Sequence, residues 1–419
     1  MGPIIIRLSL GLLSTCSLFF LSGCGGAKRA VKPKPATVQV AGYNDNHTKF
    51  NEINPAVYKK SVKVRVLMDR VDQHKKTTWS LGVPGGFVVR DPESGRVIVR
   101  SKKYKAEVKV GSGNIFVNGH KIDLDSVLVV PKKDKPITFN GTVYHGAFLA
   151  TKAKERIYLI NVVDLEDYLF SVVRWEGWPG WPLEVNKVFA VVCRSYVLHK
   201  MLLARRLGVP YHIKNSNIHQ TYNGTHKHEI VRKAVEQTKG IFLSYDGQPI
   251  DAMYDACCGG VIPAKSEMVD LKKAPYLARK KACTFCKKSR LYRWRQDYTV
   301  TRFEALFQRL RPGSGHLRGI KVCKRDGAGL VKEVRVVTSK GAYNLNDREI
   351  YSLCKRIKSF HFNVGKYGKV VVFKGRGYGH HMGVCQWGVR QMVEEGWHYR
   401  SILAFFYPGV QFMELMPVD

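Results

Sequence analysis

Val62-Lys-Val-Arg-Val-Leu67 alternates apolar and basic residues, and Ala106-Glu-Val-Lys-Val110 repeats the alternation further along the chain. A period of two places every second side chain on the same face, which is typical of half-buried antiparallel strands. Gly82-Val-Pro-Gly-Gly86 and Val117-Asn-Gly119 have turn chemistry, the second of the hairpin kind. We therefore predict that residues 57–160 form a β-rich N-terminal part.

The pattern changes after Asp164. Pro182 and Glu184 favour the start of a helix, and apolar residues then recur at helical spacing until Gly208 and Pro210. The later part of the chain predicts a second helix near residues 229–238, strands at residues 241–245 and 334–338, and a last helical pair bracketed by Gly396 and Pro408. The expected fold class is α+β, mainly antiparallel β, with a mixed, helix-containing catalytic core over residues 161–415.

The N-terminus has the features of an export signal. Arg7 precedes an apolar stretch, Leu8 to Leu21, that is shorter than the roughly 20 residues needed to span a bilayer. Leu21-Ser-Gly-Cys24 resembles the lipobox of bacterial lipoproteins, in which the signal is removed before a diacylglyceryl cysteine. We expect a signal peptide at residues 1–23, a lipidated Cys24 and a flexible tether at residues 24–56. An uncleaved anchor or a plain secretory signal is the alternative.

Such a protein would be an exported, membrane-anchored lipoprotein facing the periplasm or the cell-wall space. Its charge is strongly positive, with 69 Lys and Arg against 33 Asp and Glu and a net charge of +36. A positive surface attracts polyanions, but no zinc-finger, basic-zipper or RNA-recognition signature accompanies it. Because the basic residues are scattered from Lys28 to Arg400, we expect a basic exterior suited to anionic membrane or wall polymers and no specific nucleic-acid partner.

Glu176 is the leading catalytic candidate. It lies just ahead of the predicted helix, among Trp175, Trp178 and Trp181. An apolar, aromatic surrounding disfavours the ionised form of a carboxyl group, which suits a general acid near neutrality. Sugar rings pack against aromatic faces, so Trp175 is a candidate for substrate binding. The alternative is that the tryptophans belong to the core and that Glu176 is a solvated or capping residue.

Two further stretches are rich in polar residues and glycine. His219-Gln-Thr-Tyr-Asn-Gly224 and Asp255-Ala-Cys-Cys-Gly-Gly260 resemble loops at the rim of a cleft, although ordinary turns would read the same way. Gly375 to Gly388 holds His380, His381 and Gln386 among glycines but fits neither the dinucleotide-binding nor the P-loop fingerprint. Close approach of the backbone to a ligand or a strand is the expected use of these glycines.

The cysteines allow a metal site or disulfides. Cys283-Thr-Phe-Cys286 has a spacing that lets both thiolates reach one ion, and Cys257 and His219 could complete a tetrahedral site. An exported protein could instead form disulfides between Cys257-Cys258 and this loop. We leave zinc and disulfide open and expect a structural clamp in either case. Cys193 and Cys385 are interpreted as packing residues.

The order of these motifs resembles the stage II sporulation protein D family, also called SpoIID/LytB. The resemblance spans about residues 61–411. It is carried by Asn161-Val-Val-Asp-Leu-Glu-Asp-Tyr-Leu169, Ala190-Val-Val-Cys-Arg-Ser-Tyr196, Gln220-Thr-Tyr-Asn-Gly224, Ala234-Val-Glu-Gln-Thr-Lys-Gly240, Tyr254-x-x-Cys-Cys-Gly-Gly260, Gly377-Tyr-Gly-His-His-Met-Gly-Val-Cys-Gln-Trp-Gly388 and Ile402-Leu-x-x-Phe-Tyr-Pro-Gly409.

The resemblance implies a lytic transglycosylase that cuts peptidoglycan glycan strands after a partner amidase has removed the stem peptides. Glu176 matches the family's catalytic glutamate, although the usual Glu-Met-Pro is replaced by Glu176-Gly-Trp-Pro179. We expect Arg194, Gln220, Tyr222 and His380 to orient the strand, with Gln386 as an adjacent polar group.

One carboxyl group suffices for this chemistry, because the nucleophile is the C6 hydroxyl of the N-acetylmuramic acid itself and no second carboxylate or metal is required. Two alternatives stay open. The first is a non-catalytic glycan-binding module that enhances an N-acetylmuramoyl-L-alanine amidase, and the second is a zinc-dependent hydrolase with His380 and His381 as ligands.

Overall fold

The computed structural model describes residues 62–415, apart from Pro179 and residues 217–218. The signal peptide, the lipidated Cys24 and the tether predicted for residues 1–56 lie outside the described residues. Within the described part of the chain, no helix is both long and apolar enough to cross a membrane.

The N-terminal part consists of two antiparallel sheets whose apolar faces share one core. Val64 and Val66 of the first strand and Trp79 and Leu81 of the second are buried there, as the alternation predicts. The strands are β1 (Lys63–Asp72), β2 (Thr77–Gly82), β3 (Phe87–Arg90), β4 (Val97–Ser101), β5 (Lys105–Gly111), β6 (Asn114–Val117), β7 (His120–Ile122), β8 (Ser126–Pro131), β9 (Ile137–Phe139), β10 (Thr142–Tyr144), β11 (Ala147–Ala153) and β12 (Arg156–Asp164). One sheet has the order β1-β12-β11-β8-β3-β4 and the other β10-β9-β2-β5-β6-β7.

A helical layer follows directly from β12. Its elements are α1 (Leu165–Glu176), α2 (Leu183–Leu207), β13 (Ile213–Lys214), α3 (Glu229–Gln237), β14 (Ile241–Tyr245), β15 (Gln248–Pro249) and β16 (Tyr254–Asp255). Helix α2 starts after Pro182 and stops at Gly208, whose φ of +62° is the left-handed C-terminal conformation that glycine favours. The predicted α2, α3 and β14 are confirmed, whereas α1 was not predicted.

The predicted boundary at residue 160 falls inside a strand. Strand β12 runs on to Asp164, whose side chain accepts a hydrogen bond from the backbone of Glu166 and so caps α1. Strand β13 also pairs in parallel with β1 and extends the first sheet to seven strands. The β-rich part and the helical layer are therefore one continuous structure.

Residues 293–376 form a subdomain with a core of its own, here called the inserted subdomain. Its elements are β17 (Arg293–Thr299), α4 (Val300–Leu310), β18 (Leu317–Arg325), β19 (Val331–Thr338), β20 (Gly341–Asn346), α5 (Asp347–Leu353), β21 (Phe362–Tyr367) and β22 (Val370–Arg376). They build two three-stranded sheets, β17-β22-β21 and β18-β19-β20, around Phe303, Phe307, Val334 and Phe373. Residues 161–415 were predicted to form one core, but residues 293–376 have a hydrophobic core separate from that of the rest of this range.

The chain then returns to the helical layer. Its last elements are β23 (Val384–Cys385), α6 (Gln386–Glu394), α7 (Tyr399–Phe406) and β24 (Gln411–Glu414). Strand β23 pairs in parallel with β16, and β24 pairs with β14. This return places the start of α6 beside the end of α1, where Gln386 donates to the Glu176 carbonyl. The mainly antiparallel α+β fold is confirmed.

The separate core of the inserted subdomain predicts a local effect of mutation. Replacing buried Phe373 by Ala should destabilise this subdomain by about 3–5 kcal/mol, because the truncation removes apolar contacts and leaves a cavity. Amide hydrogen exchange should accelerate in residues 293–376 far more than in α2. Equal acceleration in both regions would show that the two cores unfold as one unit.

Candidate active site

Glu176 is the last residue of α1 and is half-buried. Its carboxylate Oε1 accepts a hydrogen bond of 2.6 Å from the backbone N–H of Thr221. Its carbonyl oxygen accepts one of 2.8 Å from Nε2 of Gln386, which is buried at the start of α6. The C-terminal end of a helix carries partial negative charge and does not favour a carboxylate. The backbone donor from Thr221 therefore fixes a carboxylate at an intrinsically unfavourable place.

A buried ion pair ties α1 to its neighbours. Arg194 on α2 is fully buried and donates to both carboxylate oxygens of Glu166, at 3.0 and 2.5 Å, and to the carbonyl of Ile241 at 2.9 Å. This bidentate geometry joins α1, α2 and β14. Arg194 was predicted to orient the substrate, but its burial leaves it no route to a ligand, and it is a structural residue.

Gln220 and Tyr222 are also interior residues. The Gln220 side chain accepts a hydrogen bond of 2.7 Å from the hydroxyl of Tyr168, while the Tyr222 hydroxyl donates to Asn161 at 2.7 Å. Both side chains are 1% exposed or less, in contrast to the predicted role in substrate binding. Their effect is to hold the backbone of the intervening Thr221 against Glu176.

Tyr254 lies near the carboxylate, and His380 is hydrogen-bonded to the backbone of Tyr254. The Tyr254 hydroxyl is buried and has no hydrogen-bond partner among the described residues. Burial raises the pKa of Tyr254 well above its usual value, and the charges of Cys193 and Glu176 add to the shift. Burial lowers the pKa of His380 to about 4, more than its hydrogen bond to the Tyr254 backbone opposes. A phenol that keeps its proton and a neutral imidazole therefore border the site.

Aromatic side chains form the rim. Trp175 and Trp178 are 45% and 40% exposed, whereas Trp181 is 4% exposed and packs in the core. Trp178 lies 6.3 Å from Trp181 and 6.1 Å from Trp387, between ring centroids, with the Arg290 guanidinium at 5.6 Å. The rim is thus a mixed surface of exposed indole faces and cations, which suits sugar rings.

Gly177, the residue that follows Glu176, is the C-cap of α1. The backbone N–H of Gly177 donates to the carbonyl of Val173 at 2.9 Å, and a Cβ at Gly177 would lie 3.0 Å from that oxygen. A side chain there would need a small shift, so glycine permits a tight stop. The departure from Glu-Met-Pro therefore leaves Glu176 in place and adds Trp178 to the rim.

Four buried thiols meet behind the site. The Sγ atoms of Cys258, Cys283, Cys286 and Cys385 all lie within 4.8 Å of one another. Four sulfurs around one zinc at about 2.3 Å would be about 3.8 Å apart. The Cys258–Cys286 separation is 3.8 Å, far longer than a disulfide bond of about 2.05 Å. All eight cysteines of the described residues are free thiols.

The pKa values of the cluster's thiols are shifted in opposite directions, since burial raises the pKa of Cys385 well above its usual value whereas the pKa of Cys286 is lowered. Cys385 is the N-cap of α6, and its Sγ accepts backbone hydrogen bonds from Cys258 at 3.2 Å and Gly388 at 3.4 Å. A Cβ at Gly388 would lie 2.8 Å from the Sγ of Cys283, so a larger residue would displace a thiol. Hydrogen bonds, first from Cys257, lower the pKa of the Cys286 thiol to about 5.

The cluster differs from the predicted ligand set. Cys258 and Cys385 are members of the cluster in place of the predicted Cys257 and His219. Cys385, which was interpreted as a packing residue, is therefore a potential metal ligand. His219 lies elsewhere, its Nδ1 accepting from the backbone of Lys214 at 3.2 Å. The sequence pattern could not choose between the adjacent cysteines, because both lie at the cluster: Cys258 is one of its four thiols, and Cys257 is hydrogen-bonded to Cys286 beside them.

The thiol cluster is coupled to Glu176 through the backbone. Strands β16 and β23 pair Tyr254 with Val384 and Asp255 with Cys385. Gln386, which binds the Glu176 carbonyl, directly follows Cys385. A clamp at the thiols therefore positions Tyr254 and Gln386, two of the groups around the carboxylate.

His380 and His381 do not form a metal site with each other. His380 Nδ1 accepts from the Met382 backbone at 3.1 Å, and His381 Nδ1 bonds the Cys258 carbonyl at 2.9 Å. Among the described residues, the four-thiol cluster is the group of His, Cys, Asp and Glu side chains that could hold an ion. The geometry therefore gives no support to the zinc hydrolase alternative.

Two family models match the chain. Residues 153–245 match SpoIID, stage II sporulation protein, and residues 263–383 match a domain of unknown function, DUF8618. The first match spans α1, α2 and the Thr221 loop. The second includes the Cys283–Cys286 loop and the inserted subdomain.

Curated relatives agree with the first match. An uncharacterised protein of Brachyspira hyodysenteriae is 27% identical over 296 residues, which are 67% of this chain and 75% of the relative. The amidase enhancer of Bacillus subtilis is 26% identical over 353 residues, 72% of this chain but 49% of the relative. Stage II sporulation protein D of Bacillus subtilis is 25% identical over 269 residues, 61% and 76% of the two chains.

The helices that position Glu176 thus constitute a SpoIID domain. The chain thus contains a domain of the SpoIID/LytB family and is similar to proteins named stage II sporulation protein D and amidase enhancer.

Sequence reasoning missed three parts of the site. Thr221 contributes only its backbone, which no side-chain pattern reveals. Tyr254 and Trp387 stand inside motifs that the family resemblance quoted, and their positions in those motifs were the available signal. What the sequence did not show is that β16 and β23 are neighbours.

The burial of Tyr222 predicts a structural rather than a catalytic phenotype. Tyr222→Phe removes a hydrogen bond and leaves Oδ1 of Asn161 short of a donor, which should lower the free energy of unfolding by about 1–2 kcal/mol. Urea denaturation measures this loss. A substrate KM that rises severalfold with unchanged stability would instead restore Tyr222 to the substrate contacts.

Proposed function

We propose that this protein is a peptidoglycan lytic transglycosylase that cleaves peptide-stripped glycan strands and leaves 1,6-anhydro-N-acetylmuramic acid ends. The observation that carries the proposal is the single half-buried carboxylate of Glu176, held by the Thr221 N–H at 2.6 Å beneath a rim of exposed tryptophans. Family membership supports the choice, since SpoIID relatives are associated with wall metabolism. Wall remodelling, including cell division, is the expected setting.

Glu176 acts first as the acid. Because the Thr221 N–H donates to Oε1, the proton is carried on Oε2. This proton passes to the bridging glycosidic oxygen while the bond from that oxygen to C1 of N-acetylmuramic acid breaks. The leaving sugar departs with a hydroxyl group, and positive charge develops at C1 and the ring oxygen.

Glu176 then acts as the base. Its carboxylate takes the proton from the C6 hydroxyl of the same sugar, and the C6 oxygen bonds to C1 to close the anhydro ring. The nucleophile is tethered to the reacting sugar, so it has the entropic advantage of an intramolecular group. The carboxyl group ends protonated, as it began. The Tyr254 hydroxyl, which keeps its proton and has no hydrogen-bond partner among the described residues in the resting site, would donate to the intermediate carboxylate and stabilise it.

The direct test compares variants on peptide-stripped glycan strands with product analysis by mass spectrometry. Glu176→Gln should retain the Thr221 hydrogen bond but cannot donate or accept the proton, so the formation of anhydro ends should fall by roughly 100- to 10 000-fold. Glu229→Gln on the exposed face of α3 is the matched control and should retain activity. Anhydro products from the Glu176→Gln protein at the wild-type rate would refute the proposal.

An amidase enhancer is the second candidate, favoured by the similarity to the Bacillus subtilis protein of that name. In that case the same cleft would bind a glycan strand without cutting it and would stimulate a partner N-acetylmuramoyl-L-alanine amidase. The Glu176→Gln protein would then enhance a partner amidase as well as the wild type does, and intact strands would be recovered from both.

We further propose a structural zinc ion at Cys258, Cys283, Cys286 and Cys385. The donor set fits, because four thiolates at tetrahedral spacing form a closed site of the structural kind. The ion would clamp β23 and the Cys-x-x-Cys loop behind Glu176. It would leave no open position for substrate, and the reaction above requires no cofactor.

Metal content tests the clamp. The purified full chain should contain about one zinc per molecule, and Cys258→Ser should lose the metal together with several degrees of melting temperature, since the ligand set falls to three. Cys323→Ser, at an exposed position on β18, is the matched control and should change neither quantity. A zinc-free wild-type protein with full thermal stability would contradict the site.

The sequence signals at the N-terminus complete the proposal. Export and lipid attachment at Cys24 would hold the protein on a membrane by a tether, with the site facing the glycan. Labelling with a radioactive fatty acid would detect the modification, and Cys24→Ala should abolish it.

A further inference from the structure

An open groove of about 760 Å³ lies on the inserted subdomain, along the sheet β17-β22-β21. The side chains that line it include five cations and no Asp or Glu. The cations are Arg293, Arg295, Arg325, Lys374 and Arg376. We call this surface the cationic groove. It is a concentration of one sign of charge at a concave place.

The sheet register aligns these cations in two rows. Arg293 pairs with Arg376, and two residues further along β17, Arg295 pairs with Lys374. Directly opposed residues project from the same face of a sheet, and the alternate residues Trp294 and Phe373 project into the buried core. Like charges directly opposite each other destabilise a sheet. The fold therefore carries two repulsive pairs on one exposed face.

The charge of one acid, Asp297, acts on two of these cations, directly on Arg295 and less strongly on Lys374. Asp297 binds Arg295 at 2.9 Å, and Arg325 donates to the carbonyls of Gly329 and Phe362 at 2.9 and 2.7 Å. Arg293, Lys374 and Arg376 form no ion pair with any of the described residues. The Nε of Arg376 is buried and lacks a hydrogen-bond partner in the same part of the chain. An external anion would satisfy these three cations.

The last strand of the cationic groove precedes Gln386 of the candidate active site in the chain. Strand β22 ends at Arg376, and Gln386, which holds Glu176, follows ten residues later. Between them, Tyr378 is 41% exposed, with Nζ of Lys358 at 5.0 Å above its ring, and its backbone pairs with that of Cys257. One stretch of chain therefore carries the cations of β22, an exposed aromatic ring and, further on, the side chain that binds the Glu176 carbonyl.

We propose that the cationic groove binds the carboxylates of a peptide-stripped glycan strand and extends the substrate site onto the inserted subdomain. Removal of the stem peptide leaves a free lactyl carboxylate on every N-acetylmuramic acid, so the strand is a regular polyanion with sugar faces between its charges. Arg293, Lys374 and Arg376 pair with the carboxylates, and Tyr378 packs on a sugar ring. The inference rests on the proposed function for its choice of ligand.

Charge complementarity predicts that the cationic groove binds peptide-stripped strands in preference to strands that retain their stem peptides. An intact stem peptide converts the lactyl carboxylate into an amide and holds its own carboxylates further from the sugar, whereas the stripped strand presents a carboxylate directly on each N-acetylmuramic acid to the guanidinium and ammonium groups. Burial and the charge of Arg376 lower the pKa of the neighbouring His361 to about 4. His361 is consequently neutral in the physiological range, and the recognition depends on Lys and Arg, whose charge does not vary there.

The test measures binding separately from cleavage. The Glu176→Gln full chain is compared with the same chain carrying Arg293→Gln and Lys374→Gln, using peptide-stripped strands, strands whose carboxylates are methyl-amidated, and chitin oligomers. The double substitution should weaken binding of stripped strands roughly tenfold, as expected for two exposed ion pairs, and should leave the two uncharged ligands unaffected. Lys102→Gln with Lys103→Gln, exposed on the N-terminal part, makes the same charge change and should have little effect.

Thermal unfolding of the double variant shows whether a loss of binding comes from misfolding. Because the two substitutions remove two repulsive pairs, the melting temperature should stay unchanged or rise. Equal binding of stripped strands by both proteins, or equal loss for chitin, would overturn the inference. So would a double variant that loses binding to phosphatidylglycerol vesicles while its glycan binding is unchanged. If the wild type produces no anhydro ends but the charge dependence is observed, the proposed enzyme fails and the glycan-binding groove stands.

Discussion

The hydrogen bond from the Thr221 backbone to the Glu176 carboxylate, 2.6 Å long, is the contact on which the site depends. A carboxylate at the C-terminal end of a helix is opposed by the helix dipole, so it needs a donor supplied from elsewhere. The buried Tyr168, Gln220, Tyr222 and Asn161 network supplies that donor by fixing the Thr221 backbone. Residues that never meet the substrate thus determine where the acid stands.

The second half of the chain supports the same carboxylate from behind. The four-thiol cluster sits at the junction of β16, β23 and α6, and these elements carry Tyr254 and Gln386. The inserted subdomain enters between the Cys283–Cys286 loop and β23, so its last strand leads straight into the glycine-rich loop. One segment of chain therefore runs from the cationic groove to Gln386, which contacts Glu176, and it lies outside the SpoIID helices α1 and α2.

Local patterns in the sequence predicted the local structure well. The start and stop signals of α2 gave that helix nearly to the residue, while the alternation at residues 62–67 marked the first half of β1, which continues to Asp72. Helix α1 was missed because Tyr168 to Val173 is rich in aromatic and β-branched residues and is buried almost all round, Ser171 included, so its sequence gave no clear helical signal. Family motifs located Glu176. The motifs did not reveal that the polar side chains of Arg194 and Tyr222 point into the interior. Their burial depends on contacts with residues distant in sequence, Glu166 for Arg194 and Asn161 for Tyr222.

In the proposed mechanism the nucleophile is the sugar's own C6 hydroxyl, activated by Glu176, and not a water molecule. Cleavage of peptide-stripped strands in water enriched in oxygen-18, followed by mass spectrometry of the new ends, tests it directly. Intramolecular closure predicts that the N-acetylmuramic acid ends contain no oxygen-18 from the solvent. One solvent oxygen incorporated at each new end would show hydrolysis and would contradict the account.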